Sequence, residues 1–82
     1  IQVIFDLPDG SQADQKFKLG QTVEVLKSHI ESEVGIPMAS QMLYLGAKLM
    51  LDPLSLLDYE EISPAMDVYI IVEGDMPEES KK

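Results

Sequence analysis

The side chains able to do chemistry are few and scattered. His29, the lone histidine, would need a nucleophile or a carboxylate fixed beside it to act as a base, and it falls on the flank of an apolar stripe, so a plain boundary residue is expected. Asp58, Glu60, Glu61 and Asp67 make a local acidic cluster, but their spacing is not that of a calcium loop, and solvated charge is the expectation there. Pro8-Asp9-Gly10 holds one glycine and is far from a phosphate-cradling loop. The chain has no Cys, which excludes a disulfide scaffold and a thiolate zinc site and agrees with a reducing, intracellular compartment, cytoplasmic or nuclear. No catalytic residue, cofactor, metal site or small-molecule substrate is expected, and an enzyme is the least supported class.

Charge narrows the partners further. Fifteen acidic side chains stand against six Lys and no Arg, for a formal net charge of −9, so nucleic acid and anionic membrane should be repelled. The absence of Arg removes the usual fork for phosphate, and the acidic excess reads as a soluble surface. With 82 residues the chain has room for one compact core. It opens at Ile1 already in a strand-like pattern, with no initiator Met, signal peptide or run long enough to span a bilayer, which is the pattern of an excised domain; a monomer is expected.

What positions any site must be built around Thr22 to Pro37. Thr22 can cap a helix through its hydroxyl, Glu24 suits the positive helix N-terminus, and Val23, Leu26, Ile30 and Val34 form one apolar face. Gly35 can take the left-handed conformation, Ile36 can fold back on Ile30, and Pro37 ends the helix. Around it, Ile1–Leu7 alternates as a strand, with Ile1, Val3, Phe5 and Leu7 on one side, and Pro8–Ser11 turns the chain into a hairpin. The return strand, Ser11–Leu19, is the weakest, since Gln15 falls in its core-facing row with Ala13, Phe17 and Leu19 and needs a bulge, a partner or exposure. Gln41–Leu45 and Lys48–Leu51 are short strands, Leu56–Tyr59 is one helical turn, and Val68–Val72 is the most β-prone run and must be central. The expected architecture is α+β, a mixed sheet with one main helix on one face. Its first and last strands, paired in parallel, put Val3 and Phe5 beside Val68 and Ile70. Residues 73–82 read as a charged linker or tail.

Over residues 1–72 these features resemble ubiquitin and the ubiquitin-like domains. Thr22 through Lys27, Ile30, Gly35-Ile36-Pro37, Gln41, Leu43, Lys48, Asp52 and Leu56-Leu57-Asp58-Tyr59 fall in nearly gap-free register with that family, with one extra residue near Glu60–Ser63. The resemblance implies a β-grasp fold with a core of Val3, Phe5, Phe17, Val23, Leu26, Ile30, Leu43, Met50, Leu56, Ile62, Val68 and Ile70. It also implies that the Tyr59 hydroxyl ties down its own loop. Lys27 and Lys48 match positions used for chain linkage, although plain salt-bridging lysines are expected.

Function needs a separate argument, because fold does not deliver it. Where ubiquitin carries a C-terminal diglycine this chain reads Val72-Glu73-Gly74-Asp75-Met76, so a domain that binds is expected, not a tag that is transferred. The positions matching the family's apolar binding patch are Met42, Tyr44, Ala47, Tyr69 and Ile71, with Leu7 and Pro8 at the edge, and strand alternation independently turns most of them away from the helix. Two tyrosines and a Met replace an isoleucine, a histidine and an arginine, which removes the family's basic rim. The expected role is a non-conjugated interaction domain of a larger protein, docking a protein partner of the ubiquitin-receptor or proteasome type. The alternative is an internal assembly module whose same face packs on a neighbouring domain or subunit. A Ras-binding role would call for basic residues, of which the chain has few.

Overall fold

Alternation along β1 (Gln2–Asp6) buries Val3 and Phe5 and leaves Gln2, Ile4 and Asp6 on the opposite face. The computed structural model describes residues 1–63 and 65–75. After β1 the chain reverses through Pro8-Asp9-Gly10, where the Gly10 N–H donates to the Leu7 carbonyl (3.0 Å) and the Ser11 N–H donates to the Asp9 carboxylate (2.9 Å). Gly10 adopts φ 90°, a conformation that side-chain-bearing residues rarely take, so the turn rests on that glycine.

The return strand is shorter than its pattern suggested: β2 spans Gln12–Lys16, antiparallel to β1. Gln15 resolves its conflict by exposure, because β2 is the edge of the sheet and has a neighbour on one side only. Phe17, just past the strand, is buried and its N–H donates to the Ile1 carbonyl (2.8 Å).

The helix α1 (Val23–Val34) buries Val23, Leu26 and Ile30 as its spacing requires. Its start differs from expectation. Thr22 has cap-like dihedrals (φ −86°, ψ 165°), yet its side chain makes no capping hydrogen bond. The free N–H groups of the first turn find backbone acceptors in the segment at residues 52–54: Val23 donates to the Leu54 carbonyl (2.9 Å) and Glu24 to that of Asp52 (3.3 Å). Orphan donors need a partner, and here a distant segment supplies it, which leaves the hydroxyl nothing to satisfy. The end matches expectation, with Gly35 at φ 93° donating to the Ile30 and Glu31 carbonyls and Ile36 fully buried in the same core as Ile30.

A 3₁₀ turn (Met38–Ser40) leads to β3 (Met42–Leu45) and β4 (Lys48–Leu49), which ends two residues earlier than expected. A second 3₁₀ turn (Leu56–Asp58) begins with a reciprocal cap between Ser55 and Asp58, and β5 (Val68–Glu73) follows. The sheet order is β2-β1-β5-β3-β4, with β5 central and parallel to β1 in the register Val3↔Val68, Phe5↔Ile70, and the other pairs antiparallel. This is the mixed five-stranded sheet and single main helix of a ubiquitin-like β-grasp.

Every residue expected in the core is buried, joined by Ile36, Tyr59 and Val72. Full burial of an aliphatic or aromatic side chain stabilises by about 1.5–3 kcal/mol, so this cluster is the main force holding helix to sheet. Two polar devices lock its margins. The Tyr59 hydroxyl accepts from the Leu51 N–H (2.8 Å), tying down the loop as expected. Buried Gln41 donates from Nε2 to the carbonyls of Lys27 (2.9 Å) and Ile36 (2.8 Å), stitching the helix to the strand that follows it.

The expected tail at 73–82 meets the structure at its first residue, since β5 runs through Glu73. Gly74 lies against the 3₁₀ turn, where a Cβ would stand 2.8 Å from Ile36 Cγ2 and 3.0 Å from the Ser40 carbonyl oxygen, and the Asp75 N–H donates to Ser40 Oγ (3.4 Å). Residues 76–82 lie outside the described residues, as does Pro64.

Candidate functional site

A strand buried on one face presents its alternate residues on the other, and β5 does so strictly: Val68, Ile70 and Val72 are buried while Tyr69 and Ile71 are exposed. The register carries that outer face across the sheet. Ile71 stands opposite Asp6 on β1 and Tyr44 on β3, Tyr44 stands opposite Leu49 on β4, Tyr69 opposite Ile4, and Met42 opposite Glu73. Met42 (44% exposed), Leu49 (44%), Tyr69 (57%) and Ile71 (43%) thus share one side of three adjacent strands. Tyr44 is half-buried among them, and its hydroxyl lies 3.8 Å from Met42 Sδ.

Ala47 is exposed in the β3–β4 turn beside this cluster, where Gly46 takes φ 65°. Pro8 is exposed in the first hairpin turn, whereas Leu7 is half-buried and packs on the core. Leu49 was not foreseen. With Met50 fully buried, the alternation of that run turns Leu49 outward, but the strand is too short for period alone to declare itself.

Several of the groups weighed for chemistry have structural partners. His29 is half-buried with its ring edge-on to Phe17 (centroids 5.5 Å apart) and stacked on Phe5 (6.3 Å), a boundary residue that extends the aromatic core. In the acidic cluster, the Asp58 carboxylate accepts from the Ser55 N–H (2.8 Å), and Glu61 pairs with Lys48 (2.8 Å). That hydrogen bond and charge raise the Lys48 pKa above its ordinary value and lower that of Glu61. Lys27 pairs with Asp52 (2.6 Å), so both lysines are salt-bridged as expected. Among the described residues no three His, Asp or Glu side chains group closely enough to hold a metal ion. What the outer sheet face supplies is contact area.

Comparison with known proteins agrees with this architecture. The model of the ubiquitin family matches residues 1–73. A curated relative, the ubiquitin domain-containing protein 7SL RNA2 of Arabidopsis thaliana, is 37% identical over 59 residues, covering 72% of this chain and 22% of its own length. The chain thus spans about a fifth of that relative. The NMR solution structure of the ubl5 domain from the polyubiquitin locus of T.thermophila superposes with a TM-score of 0.80, covering 94% of this chain and 95% of that one at 18% identity, a likeness of fold.

Proposed function

The chain belongs to the ubiquitin family, and on that premise we propose that it is a non-conjugated ubiquitin-like interaction domain of a larger, intracellular protein, docking partners of the ubiquitin-receptor or proteasome type through its outer sheet face. The observation that carries this is the concentration of exposed apolar side chains, Met42, Leu49, Tyr69 and Ile71, on neighbouring strands. Isolated exposed apolar residues need no explanation, while a contiguous patch of Tyr, Met, Ile and Leu marks a surface that gains by being covered. Against a role as a transferred tag stand the Glu73-Gly74-Asp75 sequence and the packing of Gly74 and Asp75 on the turn at Ser40. Activating enzyme and ATP should therefore yield no thioester with this chain.

The test combines Tyr44→Ala, Tyr69→Ala and Ile71→Ala and measures binding to a panel of ubiquitin-receptor domains. Loss of binding with an unchanged denaturation midpoint supports the proposal. Full affinity in the folded triple variant overturns it. The greater length of the Arabidopsis relative favours one second reading, in which the same face packs on a neighbouring domain of the parent protein. Protection of the Tyr69 side chain from a surface-labelling reagent in the intact parent, without partner, would favour that reading.

A further inference from the structure

Docking on the outer sheet face requires an occupant of some definite chemistry, and the register specifies it through this chain's own residues. Along one row across the sheet the outer face presents Gln12, Asp6, Ile71, Tyr44 and Leu49, one per strand. Strands stand about 4.8 Å apart. An α-helix advances ~5.4 Å per turn, so a helix lying across the strands with one apolar side chain per turn meets Leu49, Tyr44 and Ile71 in succession, and one turn beyond Ile71 it meets the Asp6 carboxylate.

The flanking rows carry the same sign of charge. Asp14 stands beside Ile4, next to Tyr69, and Glu73 stands beside Met42. Among the described residues the ion pairs are Lys27–Asp52 and Lys48–Glu61, and neither involves Asp6, Asp14 or Glu73. Asp6 and Asp14 each accept a hydrogen bond from a glutamine amide, from Gln12 (2.6 Å) and Gln2 (2.7 Å), which positions the carboxylates without neutralising them. Lys16, opposite Gln2 at the far corner of β2, is the cation that the register places on this face, and Lys48 at the other edge is held by Glu61. The apolar band therefore has carboxylates along its β1–β2 side, Asp6 and Asp14, and at the end of β5, Glu73.

Resting on the docking-face reading above, we propose that the occupant is an amphipathic helix whose apolar stripe is flanked by Lys or Arg. Apolar contact holds it, and Asp6, Asp14 and Glu73 steer basic flanks in and turn acidic flanks away. The bare charge of the domain does not require this; the placement beside the outer apolar face of three carboxylates that form no ion pair among the described residues does.

The experiment is selection of a peptide-display library on the 82-residue chain, the library being amphipathic helices with a fixed Leu/Ala stripe and randomised flanks. Enrichment of Lys and Arg in the flanks supports the proposal. For the selected peptide, Asp6→Asn with Glu73→Gln should weaken binding by roughly threefold to tenfold, and the loss should shrink at high salt, since exposed ion pairs contribute modestly and are screened. Enrichment of acidic or neutral flanks, in peptides that still lose binding to a Tyr69→Ala, Ile71→Ala chain, overturns the basic occupant and leaves the docking face standing. Binders indifferent to Tyr69→Ala and Ile71→Ala, or no binders at all, overturn both.

Discussion

Ile70 and Ile71 are neighbours on one strand, chemically identical, and they serve opposite ends. Ile70 is fully buried under α1, while Ile71 is 43% exposed between Asp6 and Tyr44. The contrast extends to whole faces. The inner face is closed by the helix and by Tyr59 and Gln41 at its margins, so its side chains convert burial into stability. The outer face is equally rich in strand-forming residues, but among the described residues it has no layer over it, so its side chains stay partly exposed and it is this area that the proposed partner would cover. Residue type alone does not distinguish them; the pleat does.

The sharpest way to break that comparison is truncation on each side of it. Ile70→Ala and Ile30→Ala should each lower unfolding free energy by about 2–5 kcal/mol in a denaturant titration, because both leave cavities in a closed core. Val25→Ala, on the exposed flank of the same helix, should cost less than about 1 kcal/mol. Equal losses at Val25 and Ile30 would show that the helix presents a different face to the sheet.

A second experiment asks whether the outer face is separable from the fold. Tyr69→Ala and Ile71→Ala should each shift stability by less than about 1 kcal/mol, yet either could remove ~2 kcal/mol of binding free energy, about thirtyfold in affinity, where an aromatic or aliphatic anchor is central. Isothermal titration with a receptor domain, beside the same denaturant titration, gives both quantities. A large stability loss at Tyr69 would make the outer face structural.

The smallest effects lie in the exposed charges, and their signs differ. Hydrogen bonds from Ser11 hold the Asp9 pKa below its ordinary value, and Lys48 does the same for Glu61. Their contributions are present above the ordinary carboxylate range and are lost as pH falls through the lowered values. Lys48, raised by Glu61, contributes below the ordinary lysine value, and that contribution is lost as pH rises through the raised one. Glu61→Gln should therefore flatten stability against pH at both extremes, whereas Asp9→Asn should do so on the acid side alone. Denaturation midpoints across the pH range check this.

Much of the architecture was legible because it is written in local terms. Gly35-Ile36-Pro37 stops the helix by backbone chemistry confined to three residues, and the strict alternation of Val68–Val72 declares both its burial and its central place. The core and the β1–β5 register followed once those elements were placed. What escaped was set by partners distant in the chain. The Thr22 hydroxyl looked like a cap because its competitors, the carbonyls of Asp52 and Leu54, come from a loop some thirty residues later. Gln41 read as a strand residue, and its burial follows from two carbonyls on the helix and its exit. Leu49 hid in a strand of two residues, and the acidic border of the outer face became visible only when the register brought Asp6, Asp14 and Glu73 around one patch.

The parallel pairing of β1 with β5 also fixes when this domain can first exist. On a ribosome, β1 and β2 emerge first and can form their hairpin, and α1 can follow, but the strand that lies between β1 and β3 is the last to be made. Until Val68–Glu73 is available, the sheet is two separate hairpins with an empty slot between them, and Val3, Phe5 and Leu43 have no strand in common. The nascent domain must therefore be almost fully synthesised with its core unclosed, and closure comes in one late step with a high sequence separation. A ribosome stalled before Val68 would expose an unsealed core to proteases and chaperones, and one stalled after Asp75 with the chain clear of the exit tunnel would not.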